Sequence, residues 1–315
     1  MGLRKWLGRN IWIWSIVGAA LLMLAIRLVT GRFTFEMLWT NAVLASFLVL
    51  LSLGQMTVIT SGNGAIDLSI QYTVALAAYL SSTLIGSVGL VPGLLAALAA
   101  CALVGVVNGV INMYLKVPAM ITTLAVGYVI YSLVLVVSSM TTGMPSPQIA
   151  FVTQRLRILG FSPLILLAVA SAAAMGLLLY RTGYGKRLHA VGQNRIAARL
   201  AGVGIVRTVV LAFVISSVLA GIAGILLGGY FGGASQDMGL SYLMTSVAAT
   251  VIGGTSAAGG KSSVAGTVCG AFMLTIIVAF LNLTRLPMSA QNIIQGGLLM
   301  VILVASVPKG KGAQA

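Results

Sequence analysis

Long apolar stretches, broken by short clusters of Gly, Pro, Asn and basic residues, run through almost the whole chain. A bilayer core takes about 20 mostly apolar residues per helix. Ten such stretches are present, near 11–29, 38–60, 67–87, 90–116, 118–140, 162–180, 208–230, 238–256, 262–283 and 290–306. The pattern predicts an all-α, polytopic transmembrane bundle of about ten helices. The third and eighth stretches are short, polar at their starts and flanked by glycines, so a partial or re-entrant segment is the alternative for each.

Composition agrees with the pattern. Of 315 residues, 59% are hydrophobic and 7% charged, against roughly 25% charged in ordinary soluble domains. The carboxylates are Glu36, Asp67 and Asp237 alone. The net charge of +15 raises the question of nucleic acid, but the 18 Lys and Arg residues sit between the apolar stretches and form no basic stripe with interleaved aromatics. They are better read as topology. With the amino terminus inside, 13 of them (Arg4, Lys5, Arg9, Lys116, Arg181, Lys186, Arg187, Arg195, Arg199, Arg207, Lys261, Lys309, Lys311) face the cytoplasm and five (Arg27, Arg32, Arg155, Arg157, Arg285) face outside. Both termini and the 181–207 loop are therefore expected in the cytoplasm. The amino-terminal run lacks a small-x-small cleavage site and ends at Arg27, so it is read as a retained first span.

A shift of 169 positions brings Gly64 onto Gly233, Val117-Pro118 onto Leu286-Pro287 and Gly127 onto Gly296. With 38 glycines, chance matching is the alternative. A true duplication would pair the third stretch with the eighth, and that odd offset makes two inverted repeats. The expected organisation is one membrane domain over 1–315: tail, first helix and loop in 1–37, first repeat core in 38–140, connector in 141–207, second repeat core in 208–306 and a tail in 307–315.

Little in the chain suggests covalent chemistry. Cys101 and Cys269 lie in apolar runs without a CxxC, and His189 reads as a solvated loop residue. The run Gly253 to Ser262 resembles a phosphate-binding loop, but Thr255 stands where the first glycine belongs and the run joins two apolar stretches. A glycine turn is the better reading, and ATP hydrolysis by this chain is not expected. An intramembrane enzyme would need paired groups at depth, whereas Asp67 and Asp237 are expected at opposite faces.

Candidate pathway or gate residues are Asp67, Ser69, Gln71, Asn108, Asn112, Gln236, Asp237, Asn292 and Gln295. Polar groups in spans either contact solute or hold helices together. For Asp67 the choice is between capping or fixing the glycine-rich break and touching solute; Asp237, in Gly232 to Asp237, is weighed the same way. In the 181–207 loop, Asn194 to Ala201 reads as a short helix whose Ala197, Ala198, Arg199 and Leu200 suit docking into a partner's groove.

Three stretches resemble the permease subunits of bacterial ABC importers for ribose, galactose, xylose and arabinose. They are Gly64-Ala65-Ile66-Asp67-Leu68-Ser69, the run from Gly185 to Gly202, and Val251-Ile252-Gly253-Gly254-Thr255-Ser256 with Gly259-Gly260 and Gly266-Thr267. Ala65 replaces the family's usual glycine, and Gln71 stands where a small residue is common. The resemblance implies a type II importer fold in the bacterial inner membrane. It also implies a second permease subunit (identical or paralogous), two cytoplasmic ATP-binding subunits that hold ATP and Mg, and an extracytoplasmic solute-binding protein. No cofactor is expected on this chain. Gly192, Asn194, Ala197, Ala198, Arg199 and Gly202 would form the coupling helix that presses on the ATPase. Expected function is uptake of a monosaccharide by alternating access, with an amino acid, polyol or furanone signal, or a passive channel, as alternatives.

Overall fold

The computed structural model describes residues 12–30, 35–283, 287, 289–291, 293, 294, 296, 297 and 300. In chain order the helices are α1 (Trp12–Thr30), α2 (Phe35–Thr60), α3 (Ile70–Val88), α4 (Leu90–Tyr114), α5 (Ala119–Met140) and the short α6 (Pro147–Ala150), which runs into one π turn at Phe151–Arg155. They continue with α7 (Pro163–Arg181), α8 (Gly183–Gln193), α9 (Arg195–Leu200), α10 (Ile205–Phe231), α11 (Leu240–Ile252) and α12 (Val264–Leu283).

Among the described residues six helices, α2, α4, α5, α7, α10 and α12, are long and apolar enough to cross a bilayer. The third expected stretch begins three residues late, at Ile70, because 61–69 is not helical. Gln71, Thr73 and Ser81 are tolerated in α3 because they are buried in the bundle rather than facing lipid. The eighth stretch contracts to the 13 residues of α11. At 1.5 Å per residue this is about 20 Å, too short to span alone. The tenth stretch, 290–306, falls mostly outside the described residues.

α2 and α10 form the centre. Most of the apolar window of α2 is buried, 89%, whereas α4 buries 28% of its own and leaves the rest for lipid or a partner. The two central helices run antiparallel: Thr57 Oγ1 donates to Ala212 O at 3.0 Å, and a Cβ on Gly54 would lie 3.0 Å from Ser216 Cα. Glycines on α4 allow similar intimacy, since a Cβ on Gly109 would meet Val210 Cα of α10 at 2.6 Å.

The 169-residue shift reappears in three dimensions. It carries α2 onto α10, α3 onto α11 and α4 onto α12. The packing is reciprocal: α10 lies against α2, α3 and α4, while α2 lies against α10, α11 and α12. Each half thus wraps the other's first helix, as two inverted repeats require.

Connections sort to two ends. At one, Gly260 N donates to Thr60 O at 2.9 Å, and Tyr180 Oη of α7 accepts from Val264 N at 3.0 Å. This end carries Arg181, Lys186, Arg187, Arg195, Arg199 and Lys261, and the positive-inside rule makes it the cytoplasmic one. At the other end, Ala234 N donates to Gly143 O at 2.8 Å. The 181–207 segment holds more structure than expected, because α8 is helical as well as the anticipated short helix. Thr182 starts α8 by accepting from Gly185 N through its hydroxyl.

Candidate functional site

Two helix breaks enter the bundle from opposite ends and meet. The first, residues 61–69, leaves α2 at the basic end with Gly62, Asn63 and Gly64 all at positive φ, a conformation that glycine and asparagine adopt most readily. It then climbs to Asp67, whose side chain is fully buried. Ser69 N and Ser69 Oγ donate to Asp67 Oδ1 at 3.1 and 2.6 Å, and Ser216 Oγ of α10 donates to Oδ2 at 2.8 Å. Asn108 Nδ2 of α4 extends the chain by donating to Ser69 Oγ at 2.8 Å. Thr123 of α5 pins both sides of the acid, its hydroxyl accepting from Leu68 N at 3.0 Å and lying 3.1 Å from Ile66 O. Asp67 therefore ties the break directly to α10 and through Ser69 to α4, while Thr123 ties it to α5; the acid itself is fully buried.

The second break, 232–239, leaves α10 at Gly232, in the left-handed region at φ 79°, and descends from the opposite end. Gln236 Nε2 donates to Ser138 Oγ near the end of α5 at 2.9 Å. Three residues on, Gly239 is pressed against the backbone of Gln71, where a Cβ would overlap Gln71 O. The 169-residue shift carries Gln71 to Leu240, so the repeats touch where they are equivalent. The starts of α3 and α11 converge inside the protein, the arrangement in which half-helix amino termini face a shared site.

This corrects the expectation that Asp67 and Asp237 sit at opposite faces. Both lie on non-helical segments that fold inward, so the breaks become neighbours. Their environments differ sharply. Asp67 is sealed, whereas Asp237 is exposed and lies within electrostatic reach of Tyr72. Tyr72 contacts Tyr131 and Tyr128 of α5 with ring centroids 5.1 and 6.0 Å apart. Tyr131 is 12 residues from the start of α5 and nine from its end, about 18 and 14 Å by helical rise. Tyr72 and Tyr128 therefore lie well inside the span, and Asp237 sits on the stretch that runs inward from Gln236, at Ser138 near the outer end of α5, to Gly239 against Gln71.

The remaining pathway candidates scatter. Asn112 Nδ2 donates to Val117 O at 2.8 Å and closes the α4–α5 turn. Asn292 and Gln295 lie outside the described residues. Ser216, Thr123, Tyr128 and Tyr131 were not among the sequence candidates. For the tyrosines the i, i+3 spacing on α5 was a usable signal; for Ser216, inside an apolar run, there was none.

At the basic end, Asn194 caps α9, its Oδ1 accepting from Ile196 N at 2.9 Å and Ala197 N at 3.0 Å. Gly202, at φ 76°, ends it. Ala198 is buried among Ala65, Val191 and Ile205. The outer side presents Ile196, 75% exposed, and Leu200, 85% exposed, with exposed Ala197 and Arg199. Arg195 is half-buried with Nε unpartnered, and burial holds its guanidinium below the ordinary value. Gly192 is half-buried at the inner root of this helix. His189 is not a solvated loop residue: α8 holds it half-buried, 2.7 Å from Gly185 O and 2.8 Å from Ser262 Oγ. Among the described residues no group of three or more His, Cys, Asp or Glu is placed to hold a metal.

Known proteins match this architecture at the level of sequence. Residues 37–303 match the family model described as a branched-chain amino acid transport system / permease component. The chain is 32% identical over 274 residues to the autoinducer 2 import system permease protein LsrC of Yersinia pseudotuberculosis, covering 86% of this chain and 76% of that protein. The LsrC of an Enterobacter species is 34% identical over 263 residues, 82% of this chain and 76% of its own length. That of Klebsiella pneumoniae is 36% identical over 205 residues, 64% of this chain and 59% of its own. No solved structure matches. The match runs from the start of α2 through both breaks and the α8–α9 segment, and with it the chain belongs to the permease-component family of ABC import systems, multi-pass proteins of the bacterial cytoplasmic membrane.

Proposed function

We propose that this permease moves a small, hydroxylated solute of monosaccharide size into the cytoplasm by alternating access, along the face formed by α3, α5 and the 232–239 break. The observation that carries this reading is the exposed Asp237 on a break that folds inward, from Ser138 near the outer end of α5 to Gln71 at the start of α3. A carboxylate within a span is too costly against lipid and faces water or a partner. Exposed Tyr128, against Tyr72, offers a ring face and a hydroxyl, and Gln236, beside Asp237 in the chain, offers an amide. Such groups replace the hydration shell of a neutral polyol with hydrogen bonds and apolar contact. The name of the LsrC relatives supports a second reading, in which the hydroxylated solute is a furanone signal.

Driving the cycle requires partners. The exposed apolar and basic side of α9 suits a groove on a cytoplasmic ATP-binding subunit. ATP and Mg belong to two such subunits, and this chain performs no covalent step. Gly192, Asn194, Ala197, Ala198, Arg199 and Gly202 act as the coupling segment within the 141–207 connector. A second permease copy or paralogue completes the pathway, and an external solute-binding protein delivers cargo. Together these give the two-state machine in which ATP binding elsewhere biases one conformation.

The test is reconstitution in proteoliposomes with the ATP-binding subunit and the solute-binding protein. Uptake of radiolabelled D-ribose, D-galactose, D-xylose, L-arabinose and autoinducer 2 is compared with that of leucine. ATP-dependent uptake of a hydroxylated solute, lost in Asp237→Asn or Tyr128→Ala, is the expected result. Uptake without ATP, or preference for leucine, overturns it.

A further inference from the structure

We propose that α8 and the 253–263 turn form a clasp that transmits motion of the docking helix α9 to the buried Asp67 break. This rests on the reading of α9 as the coupling segment. Four backbone segments meet at the basic end. His189 and Gln193, one helical turn apart on α8, both face the 253–263 turn. Gly185 O accepts only, so His189 carries a proton on Nδ1, and in the neutral ring its Nε2, 2.8 Å from Ser262 Oγ, accepts from that hydroxyl. Gln193 Nε2 donates to Gly260 O at 3.3 Å, while Gly260 N donates to Thr60 O, the last residue of α2, at 2.9 Å.

The contact leaves no room for side chains. A Cβ on Gly192 would overlap Thr60 O and Gly260 N, one on Gly62 would lie 2.7 Å from Gly192 O, and one on Gly260 would lie 2.8 Å from Gln193 N. Backbone against backbone is stiff, because there is no rotamer to absorb a displacement. Chain connectivity leads into the same junction. α9 begins two residues beyond Gln193, and the break that carries Asp67 begins just beyond Thr60. A push on α9 therefore reaches α2, α11 and the first break through the same junction, while Ala198 and Ala65 share one buried cluster beside it. The glycines of the 253–262 run, which resembled a nucleotide loop, gain a mechanical reason.

His189, Gln193 and Ser262 are thus positioning residues, acting through α9. The experiment reconstitutes the permease with its ATP-binding subunit and measures two quantities: capture of that subunit by solubilised permease, and ATP hydrolysis stimulated by the solute-binding protein. His189→Ala, Ser262→Ala, Gln193→Ala and Gly260→Ala are expected to capture the subunit as the unmodified chain does, yet to lose about fivefold or more of the stimulation. The His189→Ala and Ser262→Ala effects do not add in the double variant, and His189→Gln, which keeps an acceptor for Ser262, restores stimulation. Gly204→Ala, which meets nothing within 4 Å, changes neither quantity. Normal stimulation in both His189→Ala and Gln193→Ala overturns the clasp. If Gly260→Ala fails to accumulate, the milder His189 and Gln193 variants decide. Failure of the unmodified permease to capture the ATP-binding subunit overturns the importer reading itself, a result separate from loss of stimulation alone.

Discussion

At the residue scale, the interior of this protein keeps polar groups in two different states. Asp67 is fully partnered, accepting from Ser69 and Ser216. Asp67→Ala strands those donors and costs on the order of 3 kcal/mol, read as a melting point several degrees lower in detergent. Ser216→Ala removes one partner and costs about 1 kcal/mol. Gln55 is the contrary case, fully buried with neither Nε2 nor Oε1 partnered within the protein. Replacing an unpaired buried amide by a hydrocarbon of similar shape relieves its desolvation, so Gln55→Leu is expected to raise the melting point. A fall would show that Gln55 is held by bound water. The sequence marked Asp67, Ser69 and Asn108 as polar exceptions in an apolar chain, which is why they were findable. It did not say that they bond to one another, because Asn108 and Ser216 reach the acid only through tertiary packing.

At the element scale, the helices that face lipid were the easiest to locate, since each must be apolar along its whole length. Those that do not cross in one piece were harder. α11 stops after 13 residues because the chain covers the rest of that depth as the 232–239 break, and hydropathy does not distinguish a buried break from a helix. α8 was missed for a local reason: Gly183, Gly185 and Gly192 argue against helix, yet a Cβ at Gly185 would overlap the Leu179 backbone, so close packing requires the glycine there. The short α9 was legible from Asn194 and Gly202, a cap and a stop. Loss of the cap in Asn194→Ala costs about 1 kcal/mol and is expected to weaken capture of the ATP-binding subunit. Leu200→Asp, on the exposed side, is expected to abolish capture without lowering the melting point; retained capture would remove α9 from the interface.

For the whole molecule, orientation is argued from the distribution of Lys and Arg, and among the described residues Arg181, Lys186, Arg187, Arg195, Arg199 and Lys261 gather at one end. The prediction that follows is directional. In a chain with Cys101 and Cys269 replaced, Ser235→Cys should react with a membrane-impermeant maleimide added to intact cells, and Ala257→Cys only after permeabilisation. The reverse labelling would invert the topology. In sequence the duplication shows only as a few glycine and proline coincidences that chance could give; the reciprocal packing of α2 and α10 favours it over chance.

The meeting of α3 and α11 at Gln71 and Gly239 has a further consequence. Two halves built alike are not held alike: one break is locked by its acid, and the other lies open to the outer end. Under the alternating access proposed above, an inverted pair that traded these roles would be turned over about its pseudo-two-fold axis, closed where it was open. Gln236, the counterpart of Asp67 across the shift, would then be the residue drawn inward, and the first break the one released. On this view the opposite-facing state requires no new fold, only the exchange of two conformations already present in one chain.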